Sequence, residues 1–312
     1  MVKVLSPVAP TEIPDSIQAI IFARTHAKEE KDFPLADKLR LDAEKLGYVI
    51  NDKTGGEQEV LKIGDRDSKP LKNFLILFGS GEIAPTSVDI YRSTFLSLGK
   101  RDITISLVTT PAGFQPNVQA VYEEIKAFLL ASLPDFNLNI NLVPVNTRAE
   151  ADKPSYLDQI KNSDVIFLGP GSPTYGIKQL KNTKTLQTII EQVKKGSTLI
   201  LASAATITFS KHALPVYEIY KVGEDLHWVE GLDLYREIWE SVTIIPHFNN
   251  REGGLGLDTS YCYIGKDRAT KLISQLPADS KVVGVDEHTS LIIDLSTREQ
   301  IIKGKGTVHL VR

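Results

Sequence analysis

Ser203 follows the apolar run Leu199 to Ala202 and precedes a segment that reads as a helix, the setting that exposes a serine hydroxyl on a tight strand-to-helix turn. Such a serine can attack an acyl carbon when a histidine takes its proton, an acid orients the histidine and backbone N–H groups hold the oxyanion. His247 comes directly after Ile244, Ile245 and Pro246, so it is the first side chain clear of another apolar run and the candidate general base. For the acid, Glu218, Glu224 and Asp225 all lie between these two residues, and the residues alone do not choose among them. The Ala204 amide would be one oxyanion donor and the Gly171 region the other. Each feature also has a plainer reading: a serine after a strand commonly caps a helix, a strand-end histidine can be purely structural, and single glutamates are mostly solvated. His26, His212, His227 and His288 are less well placed for chemistry.

The elements that must bring these residues together are legible as short apolar runs alternating with amphipathic stretches from Asn73 onward. The runs are Phe74 to Phe78, Ile103 to Val108, Leu138 to Val143, Val165 to Leu168, Leu199 to Ala202 and Val242 to Ile245. Helices are expected over 86–97, 116–131, 184–195 and 259–275. Continuous apolar strands alternating with helices predict an α/β fold: a three-layer, doubly wound, mostly parallel sheet. The runs at 282–285, 290–294, 300–302 and 307–311 leave no room for helices and predict antiparallel hairpins at one sheet edge. In such a sheet ligands bind beyond the carboxyl ends of the strands. Gly81 and Glu82, Gly171 and Ser172, Ser203 and Ala204, and His247 and Asn249 all fall at such ends, so Gly81, Glu82, Ser172 and Asn249 join the candidate substrate contacts.

Ahead of this region, residues 1–14 are proline-punctuated and read as irregular. A helix is expected from about Ser16, with Ile17, Ile20, Ile21 and Ala27 on one face, and a second from Asp32 to a stop at Gly47. Residues 51–72 read as a polar linker. The chain thus divides into a small helical hairpin over 1–68 and an α/β domain over 69–312.

Composition narrows the functions open to the chain. Its 312 residues are 42% hydrophobic and 24% charged, so it can bury a core, and a net charge of −3 supplies no global field for nucleic acid or anionic membrane. One cysteine, Cys262, excludes an internal disulfide and fits a reducing cytoplasm. No apolar run is long enough for a membrane span, and the proline-rich start does not read as a signal peptide. Gly79 to Ala84 fits a relaxed dinucleotide fingerprint, yet the second strand ends in Val108-Thr109-Thr110-Pro111 with no acid for a ribose. With no Walker pattern and no metal-ligand pair at helical spacing, neither cofactor nor metal is expected.

Taken in order, Phe167 to Pro173, the Ser203-Ala204 turn, Trp228 through Leu234, Pro246-His247-Phe248 and Gly284 to Leu291 resemble the cyanophycinase and peptidase E group of serine peptidases, of the class I glutamine amidotransferase-like fold. The resemblance spans about 73–312. It implies Ser203 as nucleophile, His247 as base and a glutamate between them, with Glu218 the better match from its distance to Gly231-Leu232 and Glu224 the alternative. It implies a small acidic peptide or isopeptide as substrate. The family's turn usually carries glycine two residues before and after the serine, where this chain has Leu201 and Ala205. Arg24 through Glu57 is similar to the C-terminal tail module of cysteinyl-tRNA synthetases, implying a tRNA or synthetase contact, while mixed charges on the hairpin equally fit a docking or homodimerisation module. The second functional expectation is therefore a catalytically weak or inactive protein of this fold with a regulatory role toward tRNA or a synthetase.

Overall fold

A computed structural model describes residues 3–7, 13–52, 58–65 and 73–312. The chain forms two compact units, one built from residues 1–71 and 95–100 and one from residues 72–94 and 101–312.

The N-terminal unit contains β1 (Lys3–Pro7), α1 (Asp15–Glu29), α2 (Phe33–Lys45), β2 (Tyr48–Asp52) and β3 (Gln58–Asp65). The Asp32 side chain caps α2 by accepting from the Leu35 N–H at 3.1 Å, and Gly47, at φ 87°, ends the turn that follows. Ile17, Ala43, Ile50 and Val60 form its buried cluster. The hairpin is present, but residues 1–14 and 51–72 are not simply irregular: β1 and β2 both pair antiparallel with β3. Each is five residues long, and β2 buries the adjacent Val49 and Ile50, one on each face, before the polar Asn51 and Asp52. Residues 1–2, 8–12, 53–57 and 66–72 of those expectations lie outside the described residues.

The larger unit follows with β4 (Phe74–Phe78), α3 (Val88–Ser97), β5 (Asp102–Val108), α4 (Val118–Ser132), β6 (Asn137–Val143), α5 (Pro154–Lys161), β7 (Val165–Leu168), α6 (Pro173–Leu180), α7 (Lys184–Lys194), β8 (Thr198–Ala202) and α8 (Ala204–Thr208). Then come β9 (His212–Ala213), β10 (Val229–Glu230), α9 (Leu234–Ile238), β11 (Thr243–Ile245), α10 (Lys266–Ser274), β12 (Val282–Val285), β13 (Thr289–Asp294), β14 (Gln300–Gly304) and β15 (Val308–Leu310). Seven strands form the central sheet in the order β14-β13-β4-β8-β7-β5-β6. The five from β4 to β6 run parallel, and β13 and β14 complete one edge antiparallel. Every residue of β4, β7 and β8 is buried, so both faces of the sheet are covered and the α/β layering stands.

Two expectations are corrected. The run at Val242 to Ile245 does not join the main sheet; β11 pairs parallel with β12, which pairs antiparallel with β15, in a second three-stranded sheet. The helix expected over 259–275 starts only at Lys266, because Tyr261, Cys262 and Tyr263 take left-handed backbone conformations at φ 54°, 57° and 67°.

Candidate functional site

β8 delivers Ser203 at the carboxyl edge of the central sheet. Its backbone, at φ 50° and ψ −117°, lies where L-residues are strained, and the Ser203 N–H donates to the Phe78 carbonyl at the end of β4 at 3.2 Å. Leu201 and Ala205, the positions where glycines were expected, are fully buried parts of the core, so the serine itself carries the sharp turn. Residues of β11 lead to His247, at φ 49°, whose N–H donates to the Gly79 carbonyl at 3.1 Å and ties the second sheet to the end of β4. Ser203 Oγ lies 2.9 Å from His247 Nε2.

The other ring nitrogen, His247 Nδ1, is 2.8 Å from Glu287 Oε1, and Asn250 Nδ2 donates to the same oxygen at 2.9 Å. The hydrogen bond from His247 holds the Glu287 carboxyl below its ordinary range, against the opposing effect of burial. An ionised Glu287 only accepts, so the Nδ1 proton faces it and Nε2 is left to accept from Ser203. The register explains why these groups meet. β11 and β12 are parallel, with Ile245 opposite Gly284, so His247 and Glu287 leave the same rim a few residues later.

Neither expected acid takes this place. Glu218 begins a π-helical turn over Glu218–Val222; its Oε1 accepts from Thr174 Oγ1 at 2.5 Å and its buried Oε2 has no hydrogen-bond partner. Glu224 is half exposed and lies 3.8 Å from His227, and Asp225 only offers its carbonyl to His227 Nδ1. Both segments belong to the connection between β9 and β10, which no strand directs toward His247. Glu287 was overlooked because only acids between the serine and the histidine were considered. The strand-end rule that singled out Ser203 and His247 also applies to β12 and points to it.

The remaining expected contacts divide. Gly171 and Ala204 line a pocket of about 400 Å³ together with Ser203, His247, Tyr217, Tyr220, Lys221, Glu252, Cys262 and Tyr263. Gly171 must be glycine, since a Cβ there would lie 2.4 Å from Pro111. Ser172 instead caps α6, accepting from the Tyr175 N–H at 3.3 Å. Asn249 holds the acid, its Oδ1 accepting from the Glu287 N–H at 2.8 Å. Gly81 gives room to His288, whose Nδ1 would lie 2.5 Å from a Cβ. Glu82 does not line the pocket; burial raises its carboxyl above the usual range, and the charges of His247 and His288 act against that rise. Burial also pushes the Cys262 thiol up, so it is not a thiolate nucleophile. Among the described residues no cluster of three or more His, Cys, Asp or Glu could hold a metal ion, and no helix is long and apolar enough to cross a membrane.

The model of peptidase family S51 matches residues 112–301. A peptidase from an acI-B1 Actinobacterium superposes with a TM-score of 0.60 at 25% identity, over 77% of this chain and 91% of that one. A protein from Listeria monocytogenes EGD-e, provisionally named peptidase E, gives a TM-score of 0.49 at 16% identity, over 75% of this chain and 100% of that one. A search of curated proteins finds no significant match. The likeness of the N-terminal hairpin to a synthetase tail finds no support in these comparisons.

Proposed function

The chain belongs to peptidase family S51, and we propose that within it the protein is a serine-nucleophile amide or peptide hydrolase acting on a short acidic peptide or isopeptide. The observation that carries this reading is the line Ser203 Oγ, His247 Nε2 and Nδ1, Glu287 Oε1, with contacts of 2.9 and 2.8 Å, on the wall of one pocket. In this mechanism His247 takes the Ser203 proton as Oγ attacks the carbonyl carbon. The amides of Ala204 and Gly171 hold the oxyanion, and Glu287 stabilises the imidazolium that forms. His247 then protonates the leaving amine, and in the second half it activates water against the acyl-serine. Lys221 on the pocket wall offers an ammonium to the acidic group of the substrate. The pocket volume lies near the small end of ordinary ligand sites and suits a dipeptide better than a folded chain.

A fluorophosphonate probe tests the reading. It should label the wild-type protein and fail to label Ser203→Ala, while His247→Ala should react at least about 100-fold more slowly. An unlabelled wild-type protein with a native fold would overturn the hydrolase reading.

A further inference from the structure

Asp286 and His309 form a second acid–histidine contact directly behind the first. Asp286 is the residue before Glu287; its Oδ1 lies 3.0 Å from His309 Nε2, and its Oδ2 accepts from the Thr307 N–H at 3.0 Å. The Asp286 N–H in turn donates to the Thr307 carbonyl at 3.2 Å, so main chain and side chain both bind the approach to β15. The two segments run close, since a Cβ on Gly306 would lie 2.5 Å from that of Asp286. The Asp286 side chain is only 8% exposed, and a carboxylate so placed costs stability unless its oxygens are bonded. A carboxylate only accepts, so His309 Nε2 is the donor.

The same imidazole reaches the other half of the catalytic pair. His309 lies opposite Gly284 in the β12–β15 pairing, and its ring stacks on Phe248 with centroids 4.6 Å and planes 27° apart. The Phe248 ring crosses Gly284 so closely that a Cβ there would lie 2.2 Å from it, and Tyr261 packs against it at 4.2 Å. Phe248 stands between His247, the base, and Asn249, whose Oδ1 holds the Glu287 N–H at 2.8 Å. One side chain thus touches both the residue after the base and the residue before the acid. The strands beneath them offer few hydrogen bonds of their own, since β11 and β15 are three residues long and β12 four.

We propose that His309, anchored by Asp286, is a positioning residue for the catalytic pair: it clamps Phe248 to Asp286 and so fixes the 2.8 Å contact between His247 Nδ1 and Glu287 Oε1. This rests on the hydrolase reading of the site. A base displaced by a fraction of an ångström no longer meets the serine hydroxyl in line, which is why a group outside the pocket can govern the rate.

Full-length variants test this by two readouts: the rate at which a fluorophosphonate labels Ser203, and the downfield proton NMR signal of the His247 Nδ1–H, assigned by its loss in His247→Ala. His309→Ala should slow labelling about 10- to 100-fold and shift or broaden the signal. His309→Gln keeps a donor for Asp286 and His309→Phe keeps a ring on Phe248, so each should recover at least about 3-fold of the rate. Val308→Ala, one residue back in β15 and opposite Val285, weakens the same strand; it should leave the signal in place and the rate within about 2-fold of wild type. An unmoved signal in His309→Ala, recovery in neither partial variant, or an equal effect of Val308→Ala would overturn the proposal. Should His309→Ala not fold, the partial variants decide, and wild-type rate and signal in both would overturn it. The NMR signal does not depend on turnover. An unlabelled wild-type protein whose His247 signal still follows His309 counts against the hydrolase reading and leaves the positioning role standing.

Discussion

Replacing Glu287 by Gln isolates what the acid contributes, because the local hydrogen bonds constrain how the new side chain sits. His247 Nδ1 and Asn250 Nδ2 both approach Glu287 Oε1, at 2.8 and 2.9 Å, and both need an acceptor. The amide oxygen of Gln should therefore keep that position and preserve the histidine tautomer. What disappears is the negative charge facing the imidazolium in the transition state. A charge-assisted hydrogen bond exceeds a neutral one by roughly 1.4 kcal/mol, which is about tenfold in rate. Coulomb attraction across about 4 Å at an effective dielectric near 20 amounts to roughly 4 kcal/mol, or about 10³-fold. Thus kcat for a cleaved aspartyl peptide should fall about 10- to 10³-fold with KM within about 3-fold, since Glu287 is not a pocket-lining residue. Fluorophosphonate labelling should slow in parallel. Glu218→Gln serves as the control and should stay within about 5-fold of wild type, because Glu218 meets Thr174 and not His247. Wild-type turnover in Glu287→Gln, or a greater loss in Glu218→Gln, would refute the assignment of the acid. The pH dependence has a definite sign. The Glu287 carboxyl is held low in the folded protein, so its contribution to stability is present above the ordinary glutamate value and is lost only as pH falls through the lower folded value.

Three further outcomes follow from the same geometry. Gly81→Ala puts a Cβ 2.5 Å from His288 Nδ1 at a φ of 77°, and should cost about 1 to 3 kcal/mol in urea unfolding while lowering kcat through the adjoining Glu287 turn; unchanged stability would contradict the close approach. Glu82→Gln should raise Tm more at pH 8 than at pH 4 in thermal melts: the folded-state carboxyl is shifted up, so wild-type stability is full below the ordinary glutamate value and declines as pH rises through the folded one, and a pH-independent difference would refute the burial argument. Ser203→Gly should be more stable than Ser203→Ala by about 1 to 2 kcal/mol in urea, since only glycine accepts φ 50° and ψ −117° without strain, and the reverse order would show that the turn relaxes.

The central sheet was legible because its strands are buried on both faces. Phe74 to Phe78 and Val165 to Leu168 consist wholly of apolar residues and stop at Gly79 and Gly169; the punctuation and not the run marks the strand, since Ala127 to Ala131 is as unbroken inside α4. The helical hairpin was legible through its punctuation, a capping Asp32 and the stop at Gly47. What could not be read were pairings between distant segments. β3 joins β1 and β2 in a sheet, and β11, three residues long, joins β12 across the whole of α10; pairing partners so far apart leave no periodic signature in either strand. The left-handed run at Tyr261 to Tyr263 is less legible still, since tyrosine and cysteine have no preference for that conformation. It is explained by the carbonyls of Phe248, His247 and Thr259, which accept from the amides of Tyr261, Cys262 and Tyr263 in turn.

These unread pairings are the reason the acid was misplaced. Reading the residues from 282 onward as hairpins at the edge of one sheet removed the end of β12 from the strand termini that could carry chemistry. Only the carboxylates between Ser203 and His247 then remain as acids for the site. Once β12 is parallel to β11, its carboxyl end belongs to the same rim, and Glu287 emerges three residues beyond Gly284 as His247 emerges two beyond Ile245. The serine and histidine survived because each depends only on the strand immediately before it, whereas the acid depends on which strand lies beside the one before the histidine. The replaced glycines follow the same logic. Leu201 is a core residue of β8 and Ala205 a buried residue of α8, so the chain keeps its packing at both positions and concentrates the unusual backbone at Ser203, where the Phe78 carbonyl and the Thr206 amide and hydroxyl hold the serine's own N–H and C=O.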